Sequence, residues 1–292
     1  MEIRFLGKTP LAQIVACFNR AFADYIVPFQ AEEGPMRRRW LSCRVDYGLS
    51  YGAFDQDELV GFMMTGIDRW NGRRTAYNSG TGVIPEYRGQ KIVKQLYEKA
   101  IPSFRENGID QCILEVIVGN DRAIKAYAGV GFQSKRQLKC YSLQEEPAVV
   151  VSNDLEFKQV FQSNWEAYRE MLEFEPSWEN SRSATAFLGR DIAIWEMYQG
   201  EHLLGFFIMK PETGHILQFG LQRHADWLAA GKELLLYAAG INPELKVNNV
   251  DSRAERSMSI LEALGMKNVA DQYELELDLN TRKKSRWNFF RR

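Results

Sequence analysis

The sequence predicts a mixed α/β (α+β) protein built from two tandem copies of one domain. Three observations carry this. Period-two apolar patterns alternate with 3.6-period patterns through the first 143 residues. The same order of landmarks returns in the second half at a slowly drifting offset: Leu59-Val60-Gly61-Phe62 as Leu203-Leu204-Gly205-Phe206, Gly82 as Gly220, and Val130-Gly131-Phe132 as Leu264-Gly265-Met266. Between the halves, a polar stretch with Pro147 interrupts both patterns. These give expected domains at 1–146 and 154–280, followed by a basic tail, 281–292. The length of 292 residues suits two modest domains.

The elements follow in order. Residues 2–6 alternate as a short strand. Residues 11–23 carry the helical stripe Leu11, Ile14, Val15, Phe18 and Phe22. After Pro28, the acidic start at Glu32 and Glu33 opens a second helix whose apolar residues are Met36, Trp40 and Leu41. Two strands, 49–54 and 58–66, are joined by the polar turn Asp55-Gln56-Asp57. A third runs from Thr75 to Ile84 and is stopped by Pro85. The period then switches. Ile92, Val93, Leu96, Tyr97, Ala100, Ile101 and Phe104 line one face of a helix that Asn107-Gly108 ends. Residues 112–118 are apolar on both faces, as in a strand covered by helices on each side. Asn120 sits where a cap is wanted before a short helix carrying Ala123, Ala126, Tyr127 and Val130 and closed by Gly131. Residues 136–143 read as an edge strand.

Composition excludes several classes. With 37 basic and 38 acidic side chains, nucleic acid is an unlikely partner. No apolar run approaches the roughly 20 residues of a membrane span. The four cysteines lie far apart and the N-terminus lacks a leader pattern, so a cytoplasmic, reducing location is expected. All three histidines fall in the second half. Chemistry in the first half must then proceed without imidazole, which excludes a Ser-His or Cys-His pair there, and no metal site is expected.

The chemistry is expected in segment 80–94, GTGVIPEYRGQKIVK. A strand ends, a loop carries Arg88 and Gly89, and a helix starts at once, leaving its first N–H groups without carbonyl partners. Its positive dipole end, with Arg88 and Lys91 beside it, suits a phosphate or pyrophosphate, although a plain strand-to-helix turn would look the same.

Val83-x-Pro85-x-x-Arg88-Gly89 followed by this helix resembles the acetyl-CoA loop of the GCN5-related N-acetyltransferases. Leu114-Glu115-Val116, Asn120, Ala123, Tyr127 and Gly131-Phe132 resemble that superfamily's second signature at matching spacing. The resemblance covers about 20–143 well and 155–278 in outline. It implies two GNAT-like domains, each a mostly antiparallel sheet with a splayed central strand pair flanked by helices. It also implies acetyl-CoA as co-substrate, its pantetheine arm beside Val83 and Ile84. Its pyrophosphate would rest on the loop of Arg88, Gly89, Gln90, Lys91, Ile92, Val93 and Lys94. Asn120 would bond the amide arm or cap its helix.

The implied reaction is direct attack by an amine on the thioester. Tyr127 would protonate the leaving thiolate, since a phenol at about 10 holds its proton above a thiol at about 8.5. The alternative for Tyr127 is a core tyrosine at helical spacing. Glu115, the one charge in an apolar strand, would be the general base, or else pair structurally with Arg73 or Arg74. The acceptor would be a small-molecule or protein primary amine, met by Asp24, Tyr25, Pro28 and Phe29, with Tyr77 and Trp70 beside them. Lys91 and Val93 replace two small residues of the family's loop, and so a non-catalytic acyl-CoA-binding or regulatory protein is the alternative function.

In the second half the aligned loop begins at Asp226, Tyr127 aligns with Leu261 and Asn120 with Ala254. This copy is expected to bind no acetyl-CoA and to support the first copy's acceptor site. The tail holds six basic residues and interleaved Trp287, Phe289 and Phe290. A frayed or self-docked segment is expected of it, before a membrane-surface or nucleic-acid contact.

Overall fold

The computed structural model describes residues 1–24 and 30–280. The expectations at Tyr25, Pro28, Phe29 and the tail 281–292 therefore lie outside the described residues. The first half contains β1 (Glu2–Phe5), α1 (Leu11–Ala21), α2 (Glu33–Ser42), β2 (Tyr51–Asp55), β3 (Glu58–Trp70), β4 (Arg73–Val83), α3 (Ile92–Glu106), β5 (Gln111–Ile117), α4 (Asp121–Val130) and β6 (Gln133–Leu143). The second contains β7 (Glu156–Val160), α5 (Trp165–Met171), α6 (Arg182–Leu188), β8 (Ala193–Gln199), β9 (His202–Lys210), β10 (His215–Leu221), α7 (Trp227–Ile241), β11 (Lys246–Asp251), α8 (Glu255–Ala263) and β12 (Met266–Asp278).

Compact packing divides the chain discontinuously, unlike the contiguous division at 146 and 154. One unit holds residues 1–114, 122–133 and 275 onward, and the other holds 115–121 and 134–274. In the first unit the strand order is β1-β2-β3-β4-β5, followed by the last residues of β12. In the second, the first part of β12 is followed by β6-β11-β10-β9-β8-β7. The last strand of the first half, β6, is thus counted almost wholly with the second unit, and only the final residues of β12 are counted with the first.

The first unit is antiparallel from β1 to β4. The partnership of β4 with β5 is parallel and short, Thr75↔Gln111, Ala76↔Cys112 and Tyr77↔Ile113. Beyond Tyr77 the two strands part, which is the implied splay. At the same place β4 carries a bulge against β3, whose Thr65 faces Asn78 while Met64 faces Gly80, leaving Ser79 as the extra residue. α1 packs Ile14 and Phe18 inward, with the Phe18 ring 5.7 Å from Phe62 of β3. α3 buries Ile92, Leu96, Tyr97, Ala100 and Phe104, a stripe of three- and four-residue spacings widened by the adjacent pair Leu96 and Tyr97.

The second unit repeats this plan. β10 pairs with β11 in parallel only at His215↔Lys246 and Ile216↔Val247, and it too is bulged, between Ile216 and Gln218. The repeated landmarks hold equivalent registers: Gly61 faces Val83 and Phe62 faces Gly82, while Gly205 faces Leu221 and Phe206 faces Gly220. A Cβ on Gly220 would lie 2.8 Å from the Met171 carbonyl oxygen, so only glycine fits there.

Three expectations change. β3 and β4 are longer than expected at their junction because Asn71 (φ 48°) and Gly72 (φ 77°) make a two-residue hairpin with both centres left-handed. Leu41 is 58 % exposed, since it lies about 100° around α2 from buried Trp40. Finally, β6 lies between β12 and β11 and is no edge. Its polar look comes from Arg136, which is buried with two carboxylates, Asp251 at 3.3 Å and Glu274 at 2.7 Å. A charge in a strand signals an edge only when it has no buried partner.

Candidate active site

The loop between β4 and α3 leads into an open helix start. Pro85–Tyr87 form one 3₁₀ turn, and Tyr87 donates to Asp55 Oδ2 at 2.6 Å. Gly89 then turns left-handed (φ 81°), and so does Lys91 (φ 59°), the residue before the first turn of α3. Side chains pay roughly 1–2 kcal/mol for that conformation, and such strain clusters at functional loops. Two left-handed residues flanking Gln90 turn the chain sharply into α3. No side chain caps α3, which leaves the N–H groups of Ile92, Val93 and Lys94 for a ligand. A Cβ on Gly89 would meet nothing within 4 Å, so the approach to the loop is open. Gln90 is held by its carbonyl, which accepts from Gln95 Nε2 at 2.9 Å.

The Arg88 side chain is committed within the protein. Its guanidinium makes a two-pronged pair with Asp24, at 2.6 and 2.7 Å. It also donates to the Ala21 carbonyl at 3.0 Å and, through Nε, to the Val83 carbonyl at 3.1 Å. Arg88 is thus a strut tying the loop to the C-terminal end of α1, whose last carbonyls need donors. The same pair holds the Asp24 carboxyl down at about 2, with the Arg88 hydrogen bonds as the main cause. Asp24, expected on the acceptor side, is therefore the strut's anchor. The cation left at the helix start is Lys91, which makes no ion pair among the described residues. Lys94 lies 3.5 Å from Glu98, one turn along α3.

The backbone expected to meet a pantetheine arm is also partly committed. Ile84 is fully buried, its N–H donates to Val60 at 3.0 Å and its carbonyl accepts from Tyr87 at 3.0 Å. The part of β4 without a β5 partner starts at Asn78.

At that fork stands a polar cluster the sequence reading missed. Tyr127 of α4, 8 % exposed, packs edge-on against Tyr97 and Phe132, with ring centres 6.3 and 5.7 Å away. Asn78 Nδ2 lies 2.9 Å from the Tyr97 hydroxyl, 3.4 Å from that of Tyr127 and 2.8 Å from Thr81 Oγ1. Burial holds the Tyr97 phenol well above its usual range, with Tyr127 and Cys112 adding to it and the Asn78 hydrogen bond opposing. The available signal was Asn78-Ser79-Gly80 inside an otherwise β-favouring run, a composition that marks a bulge.

Glu115 and Asn120 fall among the second unit's residues, Glu115 partly buried on β5 and Asn120 just before α4. Arg73, one structural partner suggested for Glu115, instead pairs with Glu276 at 3.1 Å and Asp278 at 2.9 Å. Tyr77 and Trp70 are 4 % and 6 % exposed, core residues of the β3–β4 hairpin. Among the described residues no group of three or more His, Cys, Asp or Glu could hold a metal, and no helix is long and apolar enough to cross a membrane.

Comparison with known proteins fits this geometry. Residues 14–132 match the model of the acetyltransferase (GNAT) family. Over 95 residues, 32 % of this chain, it is 28 % identical to N-alpha-acetyltransferase 30 of Schizosaccharomyces pombe, covering 63 % of that protein. It is 30 % identical over 95 residues to N-alpha-acetyltransferase MAK3 of Arabidopsis thaliana, covering 50 % of it. The chain thus spans less than two thirds of the length of these relatives. In fold it is similar to a GCN5-related N-acetyltransferase from Sphaerobacter thermophilus, with TM-score 0.72, 14 % identity and 95 % of each chain covered. It is also similar to a tandem GNAT protein from the clavulanic acid biosynthesis pathway, with TM-score 0.68, 15 % identity, and 96 % and 100 % covered. Residues 14–132 of this chain are thus similar to the GNAT family.

Proposed function

We propose that the protein transfers an acetyl group from acetyl-CoA to a primary amine by direct attack. The observation that carries this is the left-handed Gly89–Lys91 turn running into an uncapped α3, with the Tyr127 phenol in the same unit. These residues fit the co-substrate: N–H groups of Ile92 to Lys94 for its pyrophosphate, Lys91 as the one added cation, and an open approach at Gly89. Acetyl-CoA supplies the activated thioester. The chain supplies orientation, a phenol proton at Tyr127 for the departing thiolate and, by the family resemblance, a general base at Glu115. Protein N-terminal α-amines are the acceptors to try first, because the curated relatives are N-alpha-acetyltransferases.

The second unit is proposed to bind no acetyl-CoA. Asp226 fills its own helix start, accepting from Leu228 N and Ala229 N at 3.1 Å each. The cytoplasm is the proposed compartment, since all four cysteines are buried free thiols.

Titration calorimetry with acetyl-CoA and CoA, followed by thiol release across a panel of peptides with free N-termini and small amines, tests the proposal. Binding at micromolar concentrations and turnover with at least one amine class are expected. No binding at millimolar concentration rejects it.

A further inference from the structure

We infer that Asn78 is a positioning residue for the general acid: its amide presents only donors to the Tyr127 oxygen, aims the phenol proton away from β4 and holds the phenolate left behind. The inference rests on the reading of Tyr127 as the acid.

The orientation of the amide is fixed by its neighbours. Gly80 N lies 3.0 Å from Asn78 Oδ1, and a backbone N–H can only donate, so that atom is the oxygen. Thr81 Oγ1, 3.0 Å from the same Oδ1, donates to it as well. Nδ2 must then face the hydroxyls, its two hydrogens shared among three oxygens: Thr81 at 2.8 Å, Tyr97 at 2.9 Å and, farthest, Tyr127 at 3.4 Å. An amide nitrogen accepts nothing, so Tyr127 cannot give its proton to Asn78. The contact to Tyr127 is the longest of the three, and a donor opposite a nascent phenolate shortens and strengthens as charge develops. The backbone places Asn78 for this task. It follows Tyr77, the last residue of β4 paired with β5, and precedes the bulge at Ser79, which re-aims the strand. Tyr97, fully buried, accepts from the same Nδ2, and the titratable neighbours on α3 and β5 are Tyr97 itself and buried Cys112.

Asn78→Asp keeps the shape and the acceptor toward Gly80 but replaces the donor by a second acceptor. The first readout needs no acceptor amine. With ¹³Cζ-labelled tyrosine, NMR follows each phenol through its titration, and Tyr127→Phe identifies the Tyr127 resonance. In Asn78→Asp the Tyr127 midpoint is expected to rise by about one pH unit or more, and an unmoved midpoint overturns the inference. The second readout is turnover with acetyl-CoA and a peptide α-amine. Asn78→Asp should lower kcat at least tenfold with KM for acetyl-CoA within about threefold, and should lower it by less than twofold when Tyr127 is already Phe. Equal losses in both backgrounds overturn the inference while leaving Tyr127 as the acid. If Tyr127→Phe itself leaves kcat unchanged, the acid reading falls and this inference with it. Should circular dichroism show Asn78→Asp unfolded, Asn78→Ser is judged by the same two readouts.

Discussion

The starts of α3 and α7 are the same structural position in two states. Both helices run for 15 residues, both follow the forked strand of their unit, and both forks part after two or three parallel pairs. At α7 the preceding residue is Asp226, in extended conformation, whose carboxylate takes two of the orphan N–H groups. At α3 it is Lys91, left-handed, with no capping bond. One helix satisfies itself and the other keeps a strained, positively charged opening. A stable end needs no ligand, whereas an uncapped one is retained at a stability cost of roughly 1 kcal/mol. On the proposed function, the anion belongs at the open start of α3.

The sharpest way to break this comparison is Tyr127→Phe. Its counterpart in the second unit is Leu261, fully buried and without a proton to give. We expect kcat to fall about 100-fold or more, as for the loss of a general acid, with acetyl-CoA affinity changed less than threefold. Stopped-flow or steady-state thiol release together with calorimetry checks both numbers. Unchanged turnover would make Tyr127 as structural as Leu261.

Next in size is Lys91→Asp, which places at α3 the charge that α7 already carries. Asp tolerates the left-handed conformation better than most residues, so the helix should persist. Acetyl-CoA affinity should drop at least tenfold at low salt, and the loss should shrink as ionic strength rises. The neutral Lys91→Asn separates the lost cation from the added anion. Equal affinity for all three proteins would show that the phosphate does not sit at this helix.

How much of this was legible in the sequence follows from the physics of each feature. The helices and the duplication were readable because apolar periodicity and glycines are local signals, and Gly61, Gly82, Gly205 and Gly220 do hold matching registers, whereas the fork was implied only by the family resemblance. The role of Arg88 was not readable. Its partner Asp24 lies 64 residues away, and only the fold decides whether a basic residue at a helix start faces a ligand or a carboxylate. Asn78 escaped for a related reason. Its chemistry comes from a bulge that Asn78-Ser79-Gly80 hints at in composition but that only the register locates. Arg136 misled in the opposite direction, its charge suggesting an edge where Asp251 and Glu274 bury it.

The two parallel seams should also respond differently to acid. At the first pair of the β4–β5 seam, Thr75 accepts from Gln111 at 2.8 Å, a bond that no pH change touches. The same pair in the second unit holds His215, whose imidazole burial, reinforced by Lys210 and Lys246 and opposed by Glu179, pushes down to about 4. Between its ordinary value of 6.5 and about 4, the unfolded chain takes up a proton that the folded chain refuses. Stability therefore falls as pH drops through that window, by up to about 1.4 kcal/mol per pH unit. Urea unfolding at pH 7 and pH 5 should show the loss in the native protein and a smaller one in His215→Gln. An equal loss in both would assign acid sensitivity elsewhere.

The smallest expected effect tests the other half of the comparison. Removing the cap with Asp226→Ala exposes two N–H groups of α7 and should destabilise the protein by about 1 kcal/mol in urea titrations. It should add no second acetyl-CoA site. α7 would gain an open terminus but no left-handed turn and no basic residue, because its first turn reads Trp227-Leu228-Ala229-Ala230. Calorimetry should return the same stoichiometry as the native protein. A second binding event would mean that an uncapped helix beside a fork is sufficient, and that the strain at Gly89 and Lys91 contributes nothing to recognition.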